Sequence, residues 1–159
     1  MTQDLTGKLL VASPLLKDPN FDRTVVYMCA HSENGAFGLV VNRLTATEVT
    51  GHLPHWLDAV SSPTVFFSGG PVEPAAAFGL ARLRGAAPER GWLEIDGNIG
   101  LIDLGLESAP LAPELLDLRI FTGYAGWSAG QLEGELQAEA WFVVPATPRE
   151  IIESRRWSV

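Results

Sequence analysis

The run TVVYMCAHSENGAFGLVVN, Thr24–Asn42, decides the fold. Thr24–Ala30 is rich in β-branched and aromatic residues, the side chains that suit a pleated surface. Ala36–Asn42 is a second apolar run of the same kind. Between them His31–Gly35 is polar, and Asn34-Gly35 is a dipeptide that supplies φ > 0 in a tight turn. The spacing predicts an antiparallel hairpin. Neither arm alternates cleanly between apolar and polar, which predicts burial on both faces.

Reading outward, Lys8–Ala12 is a strand stopped by Ser13-Pro14, and Leu15–Asp22 is a loop with turn chemistry at Asp18-Pro19-Asn20. Thr47–Val60 has apolar spacing that allows a short helix, interrupted by Gly51 and Pro54. Thr64–Ser68 is a strand that ends in Gly69-Gly70-Pro71, and Ala75–Leu83 fits helix or strand. Trp92–Ile95 and Ile99–Leu104 flank the hairpin signal Asp96-Gly97. A short acidic helix is expected over Pro113–Asp117 and a strand over Leu118–Thr122. A glycine-rich loop follows. Ser128 with Gln131 forms a capping box, which predicts a helix over Ala129–Ala138. Trp141–Val144 is a strand, and Thr147, Pro148 and Glu150 mark another helix start. Hairpins and sequential strands with few helices predict an α+β fold, mainly antiparallel, rather than a βαβ repeat.

The chain has 159 residues, 47% hydrophobic and 19% charged, which predicts one globular domain over 1–159. Met1–Lys8 lacks the basic cluster and apolar core of a secretory signal. No apolar run approaches the ~20 residues that cross a bilayer, so no membrane role is expected. Cys29 is the only cysteine, so no internal disulfide is expected and the cytoplasm is the expected compartment. Net charge is −8, and residues 89–159 carry 12 acids against 5 bases. Phosphate backbones demand a basic stripe, so direct nucleic-acid binding is disfavoured, although a local arginine patch could still assemble in space.

Four segments, taken in order, resemble the YqgE/AlgH family along the whole chain. They are residues 18–26 (DPNFDRTVV), leading through His31 into 35–43 (GAFGLVVNR); 69–72 (GGPV); 123–135 (GYAGWSAGQLEGE); and 141–146 (WFVVPA). The resemblance implies a bacterial protein of α+β fold, with an antiparallel sheet curled like a barrel and a few helices packed around it. It implies no agreed activity, although one branch of the family is named as a regulator of alginate synthesis genes. Family members continue past the region of Glu150, so a terminal segment is expected to be shortened here.

Several groups invite chemistry. Gly126-Trp127-Ser128-Ala129-Gly130 matches G-x-S-x-G, but His31, His52 and His55 all precede the serine, which breaks the hydrolase chain order. Ser128 is otherwise explained as a helix N-cap. The Gly123–Gly130 loop ahead of a helix could hold an anion, or its glycines could simply permit close packing of Tyr124 and Trp127. Cys29 and His31 lie two apart, which in a regular strand puts them on one face and would let the histidine activate the thiol. The competing reading is a buried core thiol. Asp18, Asn20 and Asp22 begin like a calcium loop, but Arg23 and Cys29 stand where glycine and glutamate are required. His52, His55 and Asp58 are too few and too disturbed by Pro54 for a metal site, so neither metal nor cofactor is expected. Asp22 and Arg23 precede the first hairpin arm, and Asn42 and Arg43 end the second, so the four meet at the hairpin base. There they either pin the loop through Arg–Asp pairs or recognise a partner.

Three functional readings stand. The leading one is a non-enzymatic interaction or regulatory module with an unknown protein partner, using Asp22, Arg23, His31, Asn42, Arg43, Gly126, Trp127 and Ser128. The second is a small enzyme built on Cys29/His31 or on an anion-binding loop. The third, a transcriptional regulator, comes only from the branch name and is opposed by the charge.

Overall fold

The computed structural model describes residues 4–147 and residue 151. Among them ten strands form one sheet. The strands are β1 (Leu9–Ala12), β2 (Val25–Ser32), β3 (Gly35–Val40), β4 (Leu44–Glu48), β5 (Val65–Ser68), β6 (Val72–Leu83), β7 (Trp92–Asp96), β8 (Ile99–Ile102), β9 (Leu115–Ser128) and β10 (Trp141–Val144), with helix α1 at Gln131–Gln137. The strand order is β10-β1-β2-β3-β9-β6-β8-β7, with β5 on β9 and β4 on β5. Every pairing is antiparallel except β5 with β9.

The sheet curls. Leu9 and Tyr27 from one end of the strand order share a core with Leu80 and Ile99 from the other end, and with Phe67, Phe121 and Ile151. On the outer face of β6 and β9, Trp56, Val60 and Val49 from two 3-10 turns cover Leu83, Leu118 and Ile120. On the outer face of β1–β3, Leu132 of α1 covers Leu10, Val26, Met28 and Val40. Both faces of the central strands are therefore buried, which is why the two hairpin arms lack polar alternation. The fold is the α+β, mainly antiparallel, barrel-like curled sheet that the family resemblance implies, with α1 and the 3-10 turns packed on it.

β9 is the axis. Residues 115–124 pair with β6 on one edge, while residues 121–122 pair with β5 and 125–128 with β3 on the other. Gly69 sits at the handover: its N–H donates to the Thr122 carbonyl at 2.8 Å, and its own carbonyl accepts from Val40 N at 2.8 Å. The chain then passes across β9, from Ser68 on one edge to Val72 opposite Tyr124 on the other. At the crossing backbone lies on backbone. A methyl group added at Gly70 would strike the Tyr124 carbonyl, and one added at Gly123 would strike the Gly70 carbonyl. Both glycines have φ in the left-handed region, +152° and +74°.

Several local expectations change. The stretch 123–128 is strand rather than loop, because its backbone is claimed by β3 and by Val72. Ser128 is not the N-cap of α1; Gly130, at φ +79°, holds that position. Half of the capping box survives, with Gln131 Oε1 accepting from Ser128 N at 3.0 Å. The first hairpin turns on Glu33-Asn34, one residue early, since Ser32 pairs with Gly35. The second turns on Gly97-Asn98, since Asp96 pairs with Ile99. Residues 44–48 form strand β4, which the polar LTATE sequence does not advertise, and 72–83 settles as strand. The 47–60 helix is replaced by 3-10 turns at Val49–Gly51 and Pro54–Ala59, and the acidic helix by a 3-10 turn at Ala112–Glu114. Of the last predicted helix start, Pro148 and Glu150 lie outside the described residues, while Ile151 N donates to Thr147 O at 3.2 Å.

Gly123→Ala is expected to lower unfolding free energy in urea titration by about 2–4 kcal/mol, through strained φ and the backbone collision. Gly134→Ala, on the exposed side of α1 with nothing near its Cβ position, is expected to raise it by about 0.5–1 kcal/mol.

Candidate functional site

The hairpin base is built from backbone capping. Asp18 Oδ1 accepts from Asn20 N at 2.9 Å and starts a 3-10 turn over Pro19–Phe21. Arg23 then takes a left-handed φ of +58°, unusual for a side-chain-bearing residue. Asn42 holds the exit from this loop: its Oδ1 accepts from Val25 N and its Nδ2 donates to Arg23 O, both at 3.0 Å. Arg43 holds the entry, donating through Nη1 to Asn20 O at 2.7 Å and through Nη2 to Asp22 O at 3.0 Å. The expected pinning is present, but its partners are main-chain carbonyls rather than the Asp22 carboxylate. Asp22 and Arg23 themselves point to solvent.

The other side of the loop is anchored by aromatics. Phe21 stacks on Trp127 with centroids 6.1 Å apart and meets Trp141 edge-on at 5.7 Å. Trp127 and Trp141 pack edge-to-face at 5.9 Å. Both indoles donate to one oxygen, Glu135 Oε1, at 2.9 and 2.8 Å, while Gln131 Nε2 donates to the other at 3.0 Å. Two buried indole N–H groups are thus satisfied by one helix carboxylate. Trp127, itself buried, therefore supports from beneath the loop that carries Asp22 and Arg23, through Phe21.

The remaining candidates lie elsewhere. His31 is buried, with Nδ1 accepting from Leu5 N at 3.0 Å and Nε2 facing Glu133 Oε2 at 2.9 Å. The expected shared face of Cys29 and His31 is lost. The β2–β3 register steps from Met28↔Gly38 to Ala30↔Phe37, so Cys29 is the extra residue of a β-bulge. A bulge flips side-chain parity. Cys29 consequently joins Val25 and Tyr27 in the inner core, while His31 reaches the α1 side with Val26 and Met28. Burial pushes the Cys29 thiol pKa well above its ordinary range. The thiol stays protonated in that core and faces Tyr27 O at 3.7 Å.

Gly126 lies on the opposite face of β9 from Trp127, against the Tyr124 ring. Ser128 is exposed at the end of β9, and its hydroxyl contacts Gln131 Oε1 at 3.3 Å. A nucleophile elbow needs the serine at the apex of a sharp strand-to-helix turn, and here Gly130 makes that turn. The anion cradle fails for a related reason, because residues 123–128 are held in the sheet. His52 contacts the Phe66 ring at 5.5 Å and His55 the Trp56 ring at 6.1 Å. A cleft of about 430 Å³ between β4 and β6 is lined by Thr45, Thr47, His52, Phe66, Ala77 and Thr122, and among the described residues no acidic, lysine or arginine side chain lines it. Sequence reasoning missed Phe21, Glu133 and Glu135. The only local hint was the Gln131/Glu135 spacing of four on one helix, since the tryptophan and histidine partners belong to other strands.

Comparison with known proteins follows this geometry. The family model described as AlgH-like (DUF179) matches residues 9–158. A UPF0301 protein of Streptomyces avermitilis is 48% identical over 151 residues, covering 92% of this chain and 78% of the relative. A UPF0301 protein of Mycobacterium avium is 40% identical over 153 residues, covering 94% and 76%. A crystal structure of a Corynebacterium diphtheriae protein superposes with TM-score 0.89 at 27% identity, covering 95% of this chain and 81% of that one. The solution structure of the AlgH protein from Pseudomonas aeruginosa gives 0.74 at 32% identity, covering 96% and 85%.

Asn42→Ala leaves the buried Val25 N–H without its acceptor, and urea unfolding should show a loss of about 1–3 kcal/mol. Cys29 should resist a soluble thiol reagent in the native state and react at the rate of global opening. Its raised pKa gives stability that is present below the unfolded thiol's value, about 8.5, and declines as pH rises above it. Unfolding midpoints at about pH 7 and pH 10 should differ less in Cys29→Ala than in the parent.

Proposed function

The chain belongs to the AlgH-like family, and from that premise we propose a non-enzymatic bacterial module that works in the cytoplasm by binding another protein through the face built on residues 18–23. One observation carries this reading: the loop is fixed before any partner arrives. Four side-chain hydrogen bonds from Asn42 and Arg43 and two ring contacts of Phe21 hold it, yet Asp22 and Arg23 remain exposed on it. A loop already ordered loses little entropy on association. An outward arginine beside aromatic anchors has the composition of an interface hot spot.

Binding is favoured over catalysis by what the reactive groups are already doing. The Cys29 thiol is buried and protonated, both His31 nitrogens are engaged, and the Ser128 hydroxyl faces the Gln131 amide oxygen, which is no general base. The net charge of −8 favours a protein partner over a nucleic acid. A regulatory role would run through the same contact.

The test is crosslinking in lysate of the native host with the full chain as bait, read by mass spectrometry. Arg23→Ala is the control, because Arg43 holds the loop itself. A protein captured by the parent, lost with folded Arg23→Ala, and bound again by the purified chain supports the reading. Capture that does not depend on Arg23, or none at all, overturns it.

A further inference from the structure

His31 joins three segments that are distant in sequence. It belongs to β2; its Nδ1 accepts from Leu5 N in the stretch before β1, and its Nε2 meets Glu133 of α1. A backbone N–H can only donate, so Nδ1 must carry a lone pair and the ring must be the Nε2–H tautomer. The imidazole side chain is 2% exposed, against 33% for Glu133, and Leu5 is itself 1% exposed in the core beneath α1. The segment carries a second tie, Gly7 N to Met28 O at 2.8 Å.

We propose that residues 4–7 form an acid-released strap, held shut while His31 is neutral and loosened when Nδ1 takes a proton. Protonation turns Nδ1 into a donor that faces the Leu5 N–H, so that hydrogen bond is lost. The Nε2–H bond to Glu133 survives and becomes charge-assisted. Asp4 from the strap and Glu133 from α1 both interact electrostatically with the ring. β3 presents uncharged Ala36 opposite His31. Both carboxylates are held below their usual range, Asp4 chiefly by the hydroxyl of Thr6 and Glu133 chiefly by the hydrogen bond from His31. Each therefore stays ionised near neutral pH and places a negative charge by the ring. The Leu5 amide, in contrast, requires a lone pair on Nδ1. Those opposing demands meet on one imidazole, and only the Leu5 bond depends on the ring being neutral. Release would withdraw the Leu5 side chain from the cluster of Leu10, Val26, Met28 and Leu132 and open an apolar seam beside α1.

The experiment uses the full chain labelled with ¹⁵N. Imidazole nitrogen spectra report the tautomer and charge of His31, and amide exchange, corrected for intrinsic rate, reports the Leu5 bond. As the pH is lowered from neutral, Leu5 protection should fall roughly tenfold or more in step with the His31 protonation that the nitrogen spectra record, while Leu39 and Phe121 hold theirs. His31→Gln, which can still accept from Leu5 through its amide oxygen, should lose this dependence. If that variant does not fold, Glu133→Gln, which removes one anion favouring the imidazolium, should move the transition to lower pH. Leu5 protection that persists with His31 protonated overturns the proposal, as does a His31 that stays neutral throughout, or a transition unmoved in Glu133→Gln.

Discussion

The crossing of the Gly69–Pro71 turn over β9 is the contact on which the rest of the sheet depends. A strand has two edges, and β9 must serve three neighbours: β6 on one edge, and β5 then β3 on the other. The chain that leaves β5 has to reach the far edge within a turn, and the direct route lies over the backbone of β9 itself. That route is open only where no Cβ stands between the two backbones, which places Gly70 against Gly123 and the main-chain carbonyl of Tyr124. Segments 69–72 and 123–135, more than fifty positions apart in the chain, are two sides of this single contact.

A short helix takes over where the sheet ends. α1 spans only Gln131–Gln137, too little to persist alone, so its stability comes from what it touches. Leu132 enters the core, Glu133 meets His31, and Glu135 accepts from Trp127 and Trp141. Through those tryptophans the helix supports Phe21, and through Phe21 the exposed loop. The surface that carries Asp22 and Arg23 is thus held by Asn42 and Arg43 from the hairpin and by a helix carboxylate from the far end of the chain.

Much of the fold is legible in the sequence because local chemistry declares it. The arms around Thr24–Asn42, the strands at 9–12, 65–68 and 141–144, and the second hairpin all carry their own signals. β4 does not: Thr47 falls in the stretch whose spacing allows a short helix, and residues 44–48 become strand by pairing with β5. The stretch 123–128 misleads for the opposite reason: its glycines suggest a loop, and the sheet uses them to bring backbones close. At the site, the meeting of Asp22, Arg23, Asn42 and Arg43 follows from hairpin geometry and is legible. The choice of carbonyl partners over the Asp22 carboxylate is not, because it depends on the left-handed turn at Arg23. The separation of Cys29 from His31 is hidden as well, because one bulged residue reverses the alternation on which any period-two reading relies.

The central place of β9 also sets an order on folding. Its partners β3, β5 and β6 are all synthesised before it, at separations of roughly 30 to 90 residues along the chain. Contacts so distant close slowly, because much loop entropy is lost before they form. Until residue 128 has left the ribosome, three strand edges stand open and the Gly69–Pro71 turn spans an empty slot. A nascent chain halted before β9 is therefore a set of unpaired edges, the form most prone to join a neighbour's. That exposure during synthesis follows from strand order alone, whatever the finished protein binds.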